Sequence, residues 1–431
     1  MPNPVPPIIT ERLLQFIWQF QYFNKKELIT TNDEEVEVIH SGYFNTNQGP
    51  DFLEARIKKN NVTWAGNIEM HVMASDWMLH HHSGDANYNN VILHVVWLAN
   101  EEIKDQNNND ISTLELQPLV SKIMLQQYEQ LMQSQGFVPC ENRLPVLSSL
   151  AWTSWKERLI AERLQQKSAQ LFAYLQQSSN HWEEVFWWML ARNFGIRINA
   201  DNFESIAKSL PVTLLAKHKN QVHQLEALLF GQANLLNKKF EEDYPKMLQR
   251  EYRFLKKKYQ LKSLLVQPSF LRMRPANFPT LRLAQLAILI YNSTHLFSRI
   301  KEIKSLQEAK RLLNVTANDY WHYHYNLDEE SGYKPKQLGD EMINNIIINT
   351  ITRVLFAYGL YTKEQQYKDK ALEWLSLVSP ENNRITKTWK ARNVSNNNAL
   401  DSQALLELKT NYCDERRCLD CAIGNKLLNT V

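Results

Sequence analysis

The sequence predicts a compact α/β domain at the N-terminus with an α-β-β-β-(α)-β order, followed by a larger, basic, all-helical region. Three observations predict it. Alternating and continuous apolar runs, the marks of strands, fall between residues 36 and 97, whereas from about residue 120 the apolar spacing is helical. The 431-residue chain is too long for one ordinary core. The charge also changes sign along the chain. Residues 1–140 carry 17 acidic and 8 basic side chains, and the remainder carries a net +12. Such asymmetry points to different partners for the two parts. The expected divisions are 1–120 for the α/β domain, 121–400 for the basic helical region and 401–431 for a cysteine-containing segment.

The elements follow in order. Thr10 caps a helix in which Leu13, Leu14, Ile17 and Trp18 recur at helical spacing. Val36 to His40 reads as a short strand. Asp51 to Lys58 is a second, entered through the turn residues Asn47-Gln-Gly-Pro50, and Val62 to Val72 a third, with Asn60-Asn61 as the hairpin turn between them. A His-rich polar stretch with a short helical turn follows. Val91-Ile-Leu-His-Val-Val-Trp97 is a continuous apolar run of the kind that forms a central buried strand. Helical spacing recurs over 151–176, 181–193, 222–237, 241–260, 281–292, 304–313, 339–360 and 364–377, and residues 380–400 form an Asn-rich loop.

Several classes are excluded. A hydrophobic content of 44% is too high for a disordered chain. No apolar run approaches the ~20 residues that cross a bilayer. The N-terminus lacks the basic and apolar regions of a secretory signal, so the cytoplasm is the expected location.

The chemistry of the first domain centres on Gly49-Pro50-Asp51 and Asn67-Ile68-Glu69-Met70-His71. Side chains alternate along a strand, so Glu69 and His71 share one face while Ile68, Met70 and Val72 take the other as core. Counted from the hairpin turn, Asp51 falls nearly opposite Glu69 or His71. Two carboxylates and an imidazole suit a divalent ion, Mg²⁺ or Mn²⁺, that activates water and neutralises a phosphate.

Pro50-Asp51, 17 residues and then Glu69-x-His71 resemble the PD-(D/E)XK nuclease motif. That superfamily has an αβββαβ core, and the strand order read above agrees over about 90 residues. The resemblance implies metal-dependent phosphodiester hydrolysis of DNA or RNA, with Asp51, Glu69 and His71 as catalytic residues. His71 stands where the motif has Lys. As a base near neutral pH or as a metal ligand it would replace that residue; Lys58, at odd spacing from Asp51, would not. Without the Lys, a binding or scaffold protein with a degenerate nuclease fold is the alternative. Gly49-Pro-Asp-Phe, Trp64-Ala-Gly-Asn-Ile-Glu-Met-His, Ser75-Asp-Trp, Tyr88-Asn-Asn-Val-Ile-Leu-His-Val-Val and Arg274-Pro-Ala-Asn-Phe-Pro-Thr-Leu-Arg also resemble an uncharacterised bacterial domain-of-unknown-function family over the whole length. His94 is a candidate metal ligand with Asp51 and Glu69, and otherwise a core histidine. His80-His81-His82 reads as a polar loop, and Glu11 as a helix N-terminal charge within reach of the site.

Cys413, Cys418 and Cys421 form C-x4-C-x2-C, and Cys140 is the one other cysteine. Such clustering in a chain with few cysteines favours a metal over a disulfide, and four thiolates suit zinc or an iron–sulfur cluster. Arg250 to Arg274 holds eight basic residues against one Glu, with aromatics interleaved. Its Arg253, Lys256, Lys257, Lys258, Arg272 and Arg274 are candidate nucleic-acid contacts. Arg384 to Arg392 is a shorter basic stretch, and Tyr320-Trp-His-Tyr-His-Tyr carries two His at a metal-like spacing.

Overall fold

The computed structural model describes residues 9–429 apart from 106–107, 145–146 and 294. The chain forms two compact units. One takes Met1–Thr153, Arg392–Val394 and Leu408–Val431; the other takes Ser154–Ala391 and Ser395–Glu407. An N-terminal mixed sheet region is thus followed by a large helical region. These limits differ from divisions at residues 120 and 400, because the cysteine-bearing end returns to the first unit. Arg416 fastens it there, donating to the carbonyls of Leu131 (3.1 Å) and Ser134 (2.7 Å).

In the first unit, Thr10 caps α1 (Glu11–Gln19) by accepting the Leu13 N–H at 3.2 Å. The helix buries Leu13, Leu14, Phe16, Ile17 and Trp18. Then come β1 (Leu28–Ile29), β2 (Glu35–His40), β3 (Tyr43–Phe44), β4 (Phe52–Lys59), β5 (Val62–Met73), α2 (Asp76–Leu79), β6 (Val91–Leu98), β7 (Thr113–Glu115) and α3 (Lys122–Gln133). The sheet order is β1-β2-β4-β5-β6-β7, with β3 beside β4. β2, β4 and β5 run antiparallel; β5, β6 and β7 run parallel. Asn60 and Asn61 have φ of 44° and 68°, the left-handed pair that a two-residue hairpin requires.

The β4–β5 ladder carries the irregularity that sets the site. From Lys59↔Val62 to Ala55↔Gly66 the register is continuous, and carried on unbroken it would put Asp51 opposite Met70, on the core face. A bulge intervenes between Phe52 and Ala55, with Glu54 at φ 57°. Phe52 therefore pairs with Ile68, and Asp51 moves to the face of Glu69.

The second unit is built around helices that are buried nearly all round. Trp182–Phe194 buries eight of its residues, and Val222–Gln232 and Pro279–Asn292 are covered to a similar degree. Asp243–Tyr259 is amphipathic instead. It packs through Pro245, Leu248, Tyr252 and Leu255 and leaves its basic face in water. A short hairpin, His324–Asn326 with Glu329–Glu330, and a π-helical stretch, Ile347–Ile351, interrupt the otherwise helical pattern. Among the described residues no helix is long and apolar enough to cross a membrane.

Candidate metal centre on the central strands

Strand β5 presents Glu69 and His71 on one face, and its parallel register with β6 sets His94 beside Glu69. All three side chains are buried. The backbone N–H of Asp51 donates to Glu69 Oε2 at 3.1 Å, and Gln15 on α1 donates to Asp51 Oδ1 at 2.8 Å. After β5 the chain turns through α2, with Trp77 buried against the rings of His71 and His94. His81 takes a left-handed conformation at φ 60°. That reversal carries both His80 and His82 back over His71.

The resulting distances are short. His71 Nε2 lies 3.1 Å from His80 Nδ1 and 3.6 Å from Glu69 Oε1, and His82 Nε2 lies 3.4 Å from the same Glu69 oxygen. A tetrahedral ion bound at 2.0–2.1 Å holds its ligand atoms about 3.3 Å apart. Among the described residues, His71, His80 and His82 are the one set of three or more candidate ligands whose atoms all lie within 4.8 Å of one another. His82 Nε2 is buried and has no hydrogen-bond partner, so a cation beside Glu69 would satisfy it.

His94 stands behind His71: its Nε2 is 2.8 Å from His71 Nδ1, and its Nδ1 is buried without a partner. A proton on His71 Nδ1 turns the Nε2 lone pair toward His80 and Glu69. A proton on Nε2 makes His71 a donor to His80 instead. Metal binding would select the first tautomer, with His94 as the outer partner that fixes the ring. Burial, reinforced by the neighbouring histidines, lowers the pKa of His71 to about 2, and burial lowers that of His94 to about 3. His71 therefore stays neutral, as a ligand must, and is too weak a base to take a proton near pH 7.

The carboxylates crowd one another. Burial, then the charges of Glu69 and Glu11, push Asp51 up to about 8. Glu11 is raised chiefly by burial, and Glu69 and Asp76 add to it. A divalent cation relieves this repulsion. Lys58 pairs with Glu37 and Thr63 at the far end of β4, and Lys59 donates to Ser112 at 2.6 Å.

In the second unit, Arg253, Lys257, Lys258, Arg272 and Arg274 are exposed, while Lys256 is half-buried and donates to Ser263 at 2.6 Å. His322 and His324 do not converge. His324 Nε2 meets Glu242 at 3.0 Å, and His322 lies 3.8 Å from Asp319. Cys140, Cys413, Cys418 and Cys421 all fall in the first unit and form no disulfide.

Sequence reasoning passed over His80 and His82. Their proximity to each other in the chain was visible, but the left-handed turn at His81 that aims both at His71 was not.

A family described as a protein of unknown function matches residues 11–384 of the chain. No curated protein and no solved structure matches it.

Proposed function

The chain belongs to the family of proteins of unknown function DUF2851, and from its site we propose that it is a metal-dependent nuclease hydrolysing phosphodiester bonds in DNA or RNA. The observation that carries this reading is the meeting of Asp51 and Glu69 with His71 on adjacent strands, with His80 and His82 beside them. The αβββαβ order of α1, β2, β4, β5, α2 and β6 supports it as well.

Asp51 and Glu69 supply negative charge to a divalent ion, and His71 and His82 supply neutral nitrogen. Imidazoles shift the preference from Mg²⁺ toward Mn²⁺ or Zn²⁺. Such an ion polarises a phosphoryl oxygen and lowers the pKa of water. His80 is exposed and borders the same centre, so it is placed to accept the proton of the attacking water. Asn67, two residues before Glu69 on the same face, lines an open groove of about 510 Å³ with His40, Arg56 and Asn90. Arg56 there gives a polyanion its counter-charge.

The test is cleavage of single- and double-stranded DNA and RNA with Mn²⁺, Mg²⁺ or Zn²⁺ and an EDTA control. Asp51→Ala and Glu69→Ala abolish cleavage. His71→Lys also abolishes it, because a charged ammonium cannot ligate. Retention of activity by His71→Lys would return His71 to the role of the motif Lys. No cleavage by the metal-loaded protein leaves the scaffold alternative.

The close His71, His80 and His82 set favours one second reading, a zinc hydrolase with a different substrate. Tight zinc binding lost in His82→Ala, without cleavage of any nucleic acid, selects it.

A further inference from the structure

More than half the chain separates Cys140 from Cys413, yet every cysteine of the protein falls in the first unit. Cys140 follows α3. Cys413, Cys418 and Cys421 lie on the segment leading into the helix Ala422–Leu428, which packs against α3. Cys140, Cys418 and Cys421 are buried, and Cys413 is half-buried. Burial pushes Cys140 and Cys418 up to about 12, and Cys421 adds to both. Cys413 is raised by burial and then by Cys421, Cys140 and Cys418, so each of the other three thiols is near enough to act on it.

Buried cysteines often serve as small apolar residues. Two features here go beyond packing. Burial raises the Cys421 thiol, and the backbone N–H groups of Gly424 and Ile423, which its sulfur accepts, offset part of that rise. The turn is also wrapped too tightly for any side chain at Gly424, where a Cβ would sit 2.0 Å from the Cys418 carbonyl oxygen. A tight backbone loop around thiolates is how a short C-x2-C unit encloses an inorganic centre.

The spacing of the thiols decides between a single ion and a cluster. Around tetrahedral zinc, with bonds of about 2.3 Å, thiolate sulfurs stand about 3.8 Å apart. No three of these cysteine sulfurs lie within even 4.8 Å of one another. A cubane interposes its irons and sulfides between the thiolates and needs the wider spacing. We propose that Cys140, Cys413, Cys418 and Cys421 ligate a [4Fe–4S] cluster.

The cluster arrives intact, in its 2+ state, from a carrier of such clusters. Four carrier thiolates are exchanged for these four, each incoming thiol gives its proton to solvent or to the departing thiolate, and no electron moves. Its role is to staple the chain. Asp420, next to Cys421, is paired with Arg12 on α1, and Asn425 accepts the Tyr22 hydroxyl at 2.8 Å.

The experiment is anaerobic purification of the full chain, with iron, zinc and acid-labile sulfide analysis, visible absorption, and electron paramagnetic resonance after dithionite. About four irons and four sulfides per chain are expected, with a brown chromophore that dithionite bleaches. Cys413→Ser and Cys418→Ser should each lose iron. Where a variant fails to fold, reconstitution of the wild-type chain with ferrous iron and sulfide gives the deciding measurement. Stoichiometric zinc without iron, or no iron uptake after reconstitution, overturns the proposal.

Discussion

Gly66 lies in β5, three residues before Glu69, and its replacement tests how the candidate site is held. A Cβ there would stand 2.4 Å from Ile92 Cγ2 and 2.6 Å from the carbonyl oxygen of Asn90, where ordinary contacts begin at 3.4 Å. The neighbour is backbone, and it is already engaged: the Asn90 oxygen accepts the Asn67 N–H at 2.8 Å. Gly66→Ala therefore forces the start of β6 away from β5 by close to 1 Å. Overpacking of this kind costs about 1–3 kcal/mol, while removing a strand glycine returns at most about 1 kcal/mol. The net expectation is a loss of about 1–2 kcal/mol in urea unfolding of the first unit. The same shift separates Glu69 from His94 and His82, so Mn²⁺ or Zn²⁺ affinity measured by calorimetry should fall about tenfold or more. A variant within about 0.5 kcal/mol of wild type and with unchanged metal affinity would refute this account of the strand.

Other expectations follow from the same kind of reasoning. Mn²⁺ or Zn²⁺ at a hundredfold excess over its dissociation constant should stabilise the first unit by about 2.7 kcal/mol, read as a rise in unfolding midpoint that His82→Ala removes. Glu226, fully buried beneath Tyr244, Asn318 and Trp321, is pushed by burial from 4.5 to about 8. Because its folded pKa is raised, it stabilises fully below about pH 4.5 and loses that contribution as pH rises to about 8, at about 1.4 kcal/mol per pH unit. Glu226→Gln should flatten this slope in hydrogen exchange of the Val222–Gln232 helix. Gly231 in that helix has the Tyr252 ring 2.1 Å from where a Cβ would lie. Gly231→Ala should cost about 1–3 kcal/mol despite the helical gain of about 1 kcal/mol, and Tyr252→Leu in the same chain should recover part of it.

What the sequence disclosed was whatever is periodic. The Asn60-Asn61 turn, the alternation that puts Glu69 and His71 on one face, and the apolar run of β6 follow from local chemistry. The bulge at Leu53-Glu54 does not. It breaks no pattern and introduces no glycine, and it still decides whether Asp51 faces Glu69 or the core. β1, β3 and β7 are two or three residues long, too short to leave a pattern. The return of residues 408–429 to the first unit rests on single long-range pairs such as Arg416 with Leu131 and Ser134, and composition carries no trace of such pairs.

The grip of Asp420 on Arg12 and of Tyr22 on Asn425 sets a timetable for synthesis. The helix that carries Glu11 and Gln15 leaves the ribosome about 400 residues before its clamps do. At 5–20 residues per second that is a wait of roughly 20–80 s. Throughout it, α1 can pack on β5 but lacks these two polar clamps. A nascent chain halted before residue 420 would carry every ligand of the histidine centre and the Gln15–Asp51 bond, but neither clamp. The first helix would then be locked at both of these points only once Asn425 has been made.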